Sequence, residues 1–278
     1  MKLSNPVQRV LFGLVAGPIV LWLLWMGGLW RAGLFTFILG GGCWEYLRIL
    51  RGRYPEAGRD PESVLPTLAA ALAWISTSGP FARFSGSRDL AIVLSVVWIL
   101  MHGFRRLPRD QVFPWVAKAV VGLLYFGVWG ASLFSLCQGQ GGGWGTLYAL
   151  LFAVGGCWIG DTAAYVAGRA FGRHKLCPEL SPGKTVEGAV AAIFATAAFG
   201  AWMVPAYLGA DLWMGVVLGV LLGGAAILGD LAESVLKRWG DVKDSSNLFP
   251  GHGGILDRTD SLLLAAPLLS AVLRAWRH

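Results

Sequence analysis

Between Lys118 and Asp161 the chain runs through 42 consecutive residues, Ala119 to Gly160, without a charged side chain. About 20 helical residues cross the hydrocarbon core of a bilayer, so this run is long enough for two crossings. The segment Gln138, Gly139, Gln140, Gly141, Gly142, Gly143 reads as the turn between them. A soluble domain has no way to bury such a run and still present a polar surface. Composition agrees, with 55% hydrophobic and only 14% charged residues against a globular average near 25% charged. Further uncharged runs cover Val10 to Trp30, Ser63 to Ala82, Gly188 to Ala210, Leu212 to Gly229 and Ser261 to Leu273. Ala32 to Leu50 and Leu90 to Phe104 are weaker, because the first carries Glu45 and Arg48 and the second is short. The expectation is an all-α polytopic integral membrane protein with about nine transmembrane helices.

The first apolar run exceeds the roughly 7 to 15 residues of an export-signal core, so it reads as a retained helix. If it enters from the cytoplasm, nine alternating crossings put 18 of the 23 Lys and Arg residues inside and leave Arg31, Arg83, Arg88, Arg274 and Arg277 outside. The positive-inside rule then favours N-terminus in and C-terminus out. The net charge of +7 becomes mostly topological, pointing to anionic lipid and membrane rather than nucleic acid as the partner. A compact chain of this kind suits a bacterial cytoplasmic membrane. Cys43, Cys137, Cys157 and Cys177 form no CxxC pair and read as small membrane-buried residues.

The polar residues divide the chain near residue 144, into N-terminal transmembrane helices (1–144) and a C-terminal catalytic transmembrane region (145–278). After the division they gather into two segments. The first holds Asp161, Tyr165, Gly168, Arg169, Gly172, Arg173, then Ser181, Pro182, Gly183, Lys184, Thr185, Glu187 and Gly188. At 100° per residue Asp161, Tyr165, Gly168 and Gly172 share one helix face if the helix continues that far. An acid at the end of a lipid-embedded helix is a functional candidate, although Asp161 could equally pair with Arg169 or Arg173 to cap the helix. Gly183, Lys184 and Thr185 do not complete a P-loop, because Pro178 stands where that pattern requires glycine. The lysine remains suited to a phosphate.

In the second segment Asp230, Ser234, Lys237 and Asp241 fall within about 40° of one another on a helix, with Leu231, Ala232, Val235, Leu236 and Trp239 opposite. Lys243, Asp244, a Ser245, Ser246, Asn247 loop and Pro250, Gly251, His252, Gly253, Gly254 follow, before Asp257, Arg258, Thr259 and Asp260 at the start of the last span. Asp257 and Asp260, three apart, can point from one face. Carboxylates from two helices, several cations and bare glycine backbone at a membrane surface fit phosphoryl or nucleotidyl transfer. Carboxylate oxygens bind Mg²⁺, the metal and Lys or Arg neutralise charge developing on phosphate oxygens, and glycine amides approach those oxygens directly. An ion-pair network that merely closes a helix bundle is the alternative.

The run Ser234, Val235, Leu236, Lys237, Arg238, with Lys243, Asp244 and then Pro250 to Asp260, resembles the signature of the phosphatidate cytidylyltransferase (CDP-diacylglycerol synthase) family. Its defining positions are filled. The segments around Asp161 and Lys184 also resemble that family, so the likeness covers about residues 145 to 278 closely. The first half matches in character only, with Glu45 where the family often has an acid ending its second span.

This resemblance implies transfer of CMP from CTP to phosphatidic acid, giving CDP-diacylglycerol and pyrophosphate, by an enzyme that needs Mg²⁺, alone or with a second cation, and works as a homodimer. It implies that Asp230 and Asp257 hold the metal and that Asp230, Lys237, Arg238, Asp257 and Asp260 are catalytic. Asp161, Lys184, Thr185, Glu187, Ser234, Lys243, Asp244, His252, Gly253, Gly254 and Arg258 are the expected substrate contacts. With the metal between the helices of Asp230 and Asp257, Lys237 and Arg258 would meet the leaving pyrophosphate. No protein nucleophile is needed, because the phosphatidate phosphate is already anionic. A CTP-dependent polyprenol or phytol kinase is the nearest alternative, differing in the lipid acceptor, and a membrane transporter is a more distant one. A CDP-alcohol phosphotransferase fits poorly, since no aspartate in this chain is followed by glycine.

Overall fold

The computed structural model describes residues 5–53, 87–106, 109–137, 147–249 and 253–276. Helices α1 (Asn5–Met26), α2 (Gly28–Arg53) and α3 (Ser87–Arg106) come first. Helix α4 (Arg109–Gly122) passes through a π-helical stretch, Leu123–Trp129, into α5 (Gly130–Ser135). Helix α6 (Tyr148–Phe171) leads to strands β1 (Lys175–Cys177) and β2 (Ser181–Thr185). Helix α7 (Val186–Met203) ends in a second π-helical stretch, Val204–Leu208, and is followed by α8 (Leu212–Trp239) and α9 (Leu256–Trp276).

Among the described residues four helices are long and apolar enough to cross a membrane: Val112–Ser135, Tyr148–Phe171, Val186–Leu208 and Leu212–Trp239. The first two divide the long uncharged run as its length requires. Leu14–Met26 within α1 and Ile92–Arg105 within α3 are further apolar helical stretches. The Val10 to Trp30 run is not one helix, because Gly27 (φ 69°) and Gly28 (φ 50°) take left-handed conformations that end α1 at Met26. The expected span from Ser63 to Ala82 and the glycine-rich turn at 138–143 lie outside the described residues.

The chain forms two compact bodies, residues 1–134 with 240–258 and residues 135–239 with 259–278. In the first, α2 buries Leu39 and Cys43 completely. Its Phe35 ring lies 4.5 Å from that of Phe134, and the Tyr46 ring meets Phe126 at a tilt, 5.8 Å between centroids, while its hydroxyl donates to the Lys118 carbonyl at 3.1 Å. In the second body α7 packs on both α6 and α8. A side chain added at Gly219 would strike the Thr196 carbonyl and the Ala197 Cα, and one at Gly200 would strike the Gly215 carbonyl. Backbone contact of this kind is how helices associate in lipid, where apolar burial supplies little preference.

One departure from a purely helical chain is the β1–β2 hairpin, which pairs Lys175 with Thr185 and Cys177 with Ser181 in antiparallel fashion. Cys177 is consequently half-buried on a strand, whereas Cys43, Cys137 and Cys157 are buried. The hairpin delivers Thr185 as the N-cap of α7, its Oγ1 accepting from Gly188 N at 3.1 Å. Thr185→Ala should destabilise the protein by about 1 kcal/mol, the worth of an N-cap, measured by thermal unfolding in detergent; an unchanged midpoint would mean that the hairpin alone fixes the start of α7.

Candidate active site

Helix α8 continues ten residues beyond the uncharged run that begins it, because Leu231, Ala232, Val235 and Leu236 keep an apolar side while Asp230, Glu233, Ser234 and Lys237 line the other. The helix stops at Trp239, and Asp241 adopts φ 55° beyond it. Asp241 therefore falls outside the polar stripe that helical spacing assigns to it. Gly229, next to Asp230, lets α8 close onto the start of α9. A Cβ there would lie 2.6 Å from the Asp260 carbonyl and 2.9 Å from the Ser261 Cα.

That approach brings three carboxylates together. One oxygen from each of Asp230, Glu233 and Asp260 lies within 4.8 Å of the other two. Lys184 Nζ, carried in by β2, is 2.5 Å from Asp230 Oδ2, and Lys237 Nζ is 2.6 Å from Glu233 Oε2 one helical turn away. The Glu233 side chain is only 1% exposed, so its charge depends on these neighbours rather than on water. Three acids face two lysines in this group. Hard carboxylate oxygens at such separations suit Mg²⁺ in kind and charge, so the residues fit the metal that the family resemblance implies.

Beside this group a cavity of about 560 Å³ opens between α6, the hairpin, α7 and α8. Asp161, Tyr165, Arg169, Ser181, Lys184, Thr185 and Asp230 supply its polar lining, and Gly168, Gly188, Ala189, Ala192 and Ala226 supply small apolar surface. Asp161, Tyr165 and Gly168 thus share a face of α6 as their spacing requires, while Gly172 caps the helix. The Arg169 guanidinium donates to the Tyr165 hydroxyl at 2.9 Å. Glu187 is turned to the hairpin, accepting from His174 N and lying 2.7 Å from His174 Nδ1. Arg238 Nε donates to the Leu180 carbonyl at 3.3 Å, and Ser234 is buried on α8.

The remaining expected residues belong to the first body. Asp257 Oδ2 accepts from Ser245 N at 2.9 Å and Gly254 N at 2.8 Å, and it lies 2.8 Å from Ser245 Oγ, whose single proton it shares with Glu45. Gly253 takes φ 80°, which allows Phe249 N to bond back to its carbonyl at 2.9 Å. Lys243, Asp244 and Arg258 are exposed, and His252 lies outside the described residues. The structure thus groups Asp230, Asp260, Lys184 and Lys237, and ties Asp257 to its own loop.

Two acids that the structure singles out, one in each body, are absent from the expected site. Glu233 stands about 60° around the helix from Asp230, off the stripe drawn from Asp230, Ser234 and Lys237. Its spacing of four residues before Lys237 was the available signal. Glu45, fully buried in α2, was visible as an acid within an apolar run, a default functional mark in a membrane helix, but its partners lie about 200 residues away.

These features define a helical integral membrane protein with an acidic, lysine-flanked site at the side of a cavity. The chain belongs to the cytidylyltransferase family, which it matches over residues 7–276. It is 34% identical to a phosphatidate cytidylyltransferase of Brucella suis over 96% of this chain and 93% of the relative. It is 30% identical to one of Synechocystis over 95% of each. A third phosphatidate cytidylyltransferase, from Staphylococcus saprophyticus, is 43% identical over 46% of this chain and 49% of the relative.

Proposed function

We propose that this chain transfers CMP from CTP to phosphatidic acid, releasing pyrophosphate and leaving CDP-diacylglycerol in the membrane. The observation that carries this reading is the Asp230, Glu233, Asp260 group with its two lysines, set at the edge of a cavity among membrane-spanning helices. Asp230, Glu233 and Asp260 are the residues proposed to hold Mg²⁺, and Asp257 is retained as a ligand on the sequence reading. Bound there, the metal would neutralise charge developing on phosphate oxygens.

The other tasks fall to the chain itself. Lys184 and Lys237 stand at the carboxylates, placed to offer ammonium groups to the triphosphate and then to the departing pyrophosphate. Arg169 and Tyr165 at the cavity wall present donors to an anionic headgroup, and the glycine and alanine surface between α6 and α7 leaves room for a substrate to lie against backbone. The acceptor phosphate needs no general base, so acceleration comes from alignment and charge neutralisation. The same proposal includes nine spans, an N-terminus inside and C-terminus outside a bacterial cytoplasmic membrane, and a homodimer.

The test is the acceptor. Purified protein given CTP, Mg²⁺ and phosphatidate should yield CDP-diacylglycerol and pyrophosphate in equal amounts. Formation of CDP and a phosphorylated prenol from polyprenol, with no product from phosphatidate, would replace this reading with that of a lipid kinase.

A further inference from the structure

We propose that Glu45 is a positioning residue: from α2 it fixes Ser245, Ser246, Ile255 and Leu256, and through them the orientation of Asp257. The inference rests on the cytidylyltransferase reading for its consequence in turnover, but its geometry is independent of that reading.

Glu45 has no solvent-exposed surface, and a buried carboxylate persists only where donors replace water. Each of its oxygens accepts two. Oε1 receives Ser246 Oγ at 2.5 Å and Ile255 N at 3.0 Å, and Oε2 receives Ser245 Oγ at 2.8 Å and Leu256 N at 2.7 Å. Ile255 and Leu256 stand at the N-terminus of α9, where backbone N–H groups lack helical acceptors. One side chain on α2 thus supplies the missing acceptors of a helix far along the chain, and a negative charge at that end is favoured by the helix dipole.

The backbone is shaped to this acid. A Cβ at Gly254 would overlap both Glu45 oxygens and Ser245 Oγ, and one at Gly41, a turn earlier on α2, would overlap the Ile255 side chain. The link onward to Asp257 is direct. Ser245 Oγ lies 2.8 Å from Glu45 Oε2 and 2.8 Å from Asp257 Oδ2, and Ser245 N also donates to Asp257. An acid whose only task was to close the first body would have no need to share a hydroxyl with an aspartate at the head of α9.

Glu45→Gln keeps the shape but leaves one acceptor oxygen, and its NH₂ group faces the N–H of Ile255 or Leu256. In detergent, amide exchange at Ile255 and Leu256 should quicken by about tenfold or more, the order expected when a buried hydrogen bond is lost. The same variant should remain monodisperse, while kcat per folded enzyme falls by at least about tenfold and the Mg²⁺ concentration for half-activity rises, as when groups supporting a metal site are removed. Glu45→Asp should recover part of both effects. Activity lost only in proportion to folded protein, or an unchanged kcat and Mg²⁺ requirement despite faster exchange, would overturn the proposal. Should Glu45→Gln fail to fold, Ser246→Ala decides, with a smaller shift in the same three readouts supporting it and no shift overturning it. A wild-type chain inactive on phosphatidate would refute the functional reading instead, leaving the exchange rates to judge the geometry.

Discussion

Asp230→Asn is expected to leave a folded protein that releases pyrophosphate roughly a thousandfold more slowly or not at all, a loss in the range seen when one group that stabilises transition-state charge is removed. Asparagine preserves volume, so helix packing has little reason to change. It removes the charge that Lys184 meets at 2.5 Å and reduces three carboxylates to two. Size-exclusion yield and pyrophosphate release, measured together across Mg²⁺ concentrations, separate loss of fold from loss of chemistry. An active Asp230→Asn would remove the cation site from the reading altogether. Asp257→Asn in parallel decides the ligand set: abolished activity in both retains Asp257 as a ligand, whereas an active Asp257→Asn confines the proposed metal to Asp230, Glu233 and Asp260.

Gly229→Ala should damage both stability and catalysis. The new methyl would sit 2.6 Å from the Asp260 carbonyl and 2.9 Å from the Ser261 Cα, and helical backbone cannot turn aside as a side chain can. Overpacking of this kind costs about 1 to 3 kcal/mol. Separating α8 from α9 also separates Asp230 and Glu233 from Asp260, and a displacement near 1 Å at reacting groups can cost on the order of a hundredfold in rate. Gly224→Ala on the same helix is the control, because its Cβ would meet nothing within 4 Å. It should be neutral or stabilise by roughly 0.4 to 1 kcal/mol. Equal thermal midpoints and equal rates for the two variants would refute the close-approach account.

The helices of the second body were largely legible in the sequence because uncharged length is a direct consequence of bilayer thickness. Their ends were not. Helix α8 outruns its uncharged stretch since amphipathic spacing replaces full apolarity from Asp230 onward, and α9 starts at Leu256, whose N–H donates to the Glu45 carboxylate of α2. The hairpin was illegible: Ser181, Pro182, Gly183, Lys184 and Thr185 have the composition of a turn, and pairing with Lys175–Cys177 makes the segment a strand. At the site, Asp230, Asp260, Lys184 and Lys237 could be found from their types and spacing. Glu233 required knowing how α8 faces its neighbours, and the partners of Glu45 required tertiary structure, since no local pattern connects α2 with residues 245–256.

The glycine contact between α7 and α8 has a thermal consequence. Where helices meet backbone to backbone in lipid, no hydration shell is released when they join, so the heat-capacity change that makes water-driven burial fade on cooling is largely missing. The seam at Gly200, Gly215 and Gly219 should grip as firmly in a cold membrane as in a warm one. The wall of the cavity formed by these helices therefore owes its constancy to contact geometry, whereas the water-facing loops will follow the temperature of their solvent.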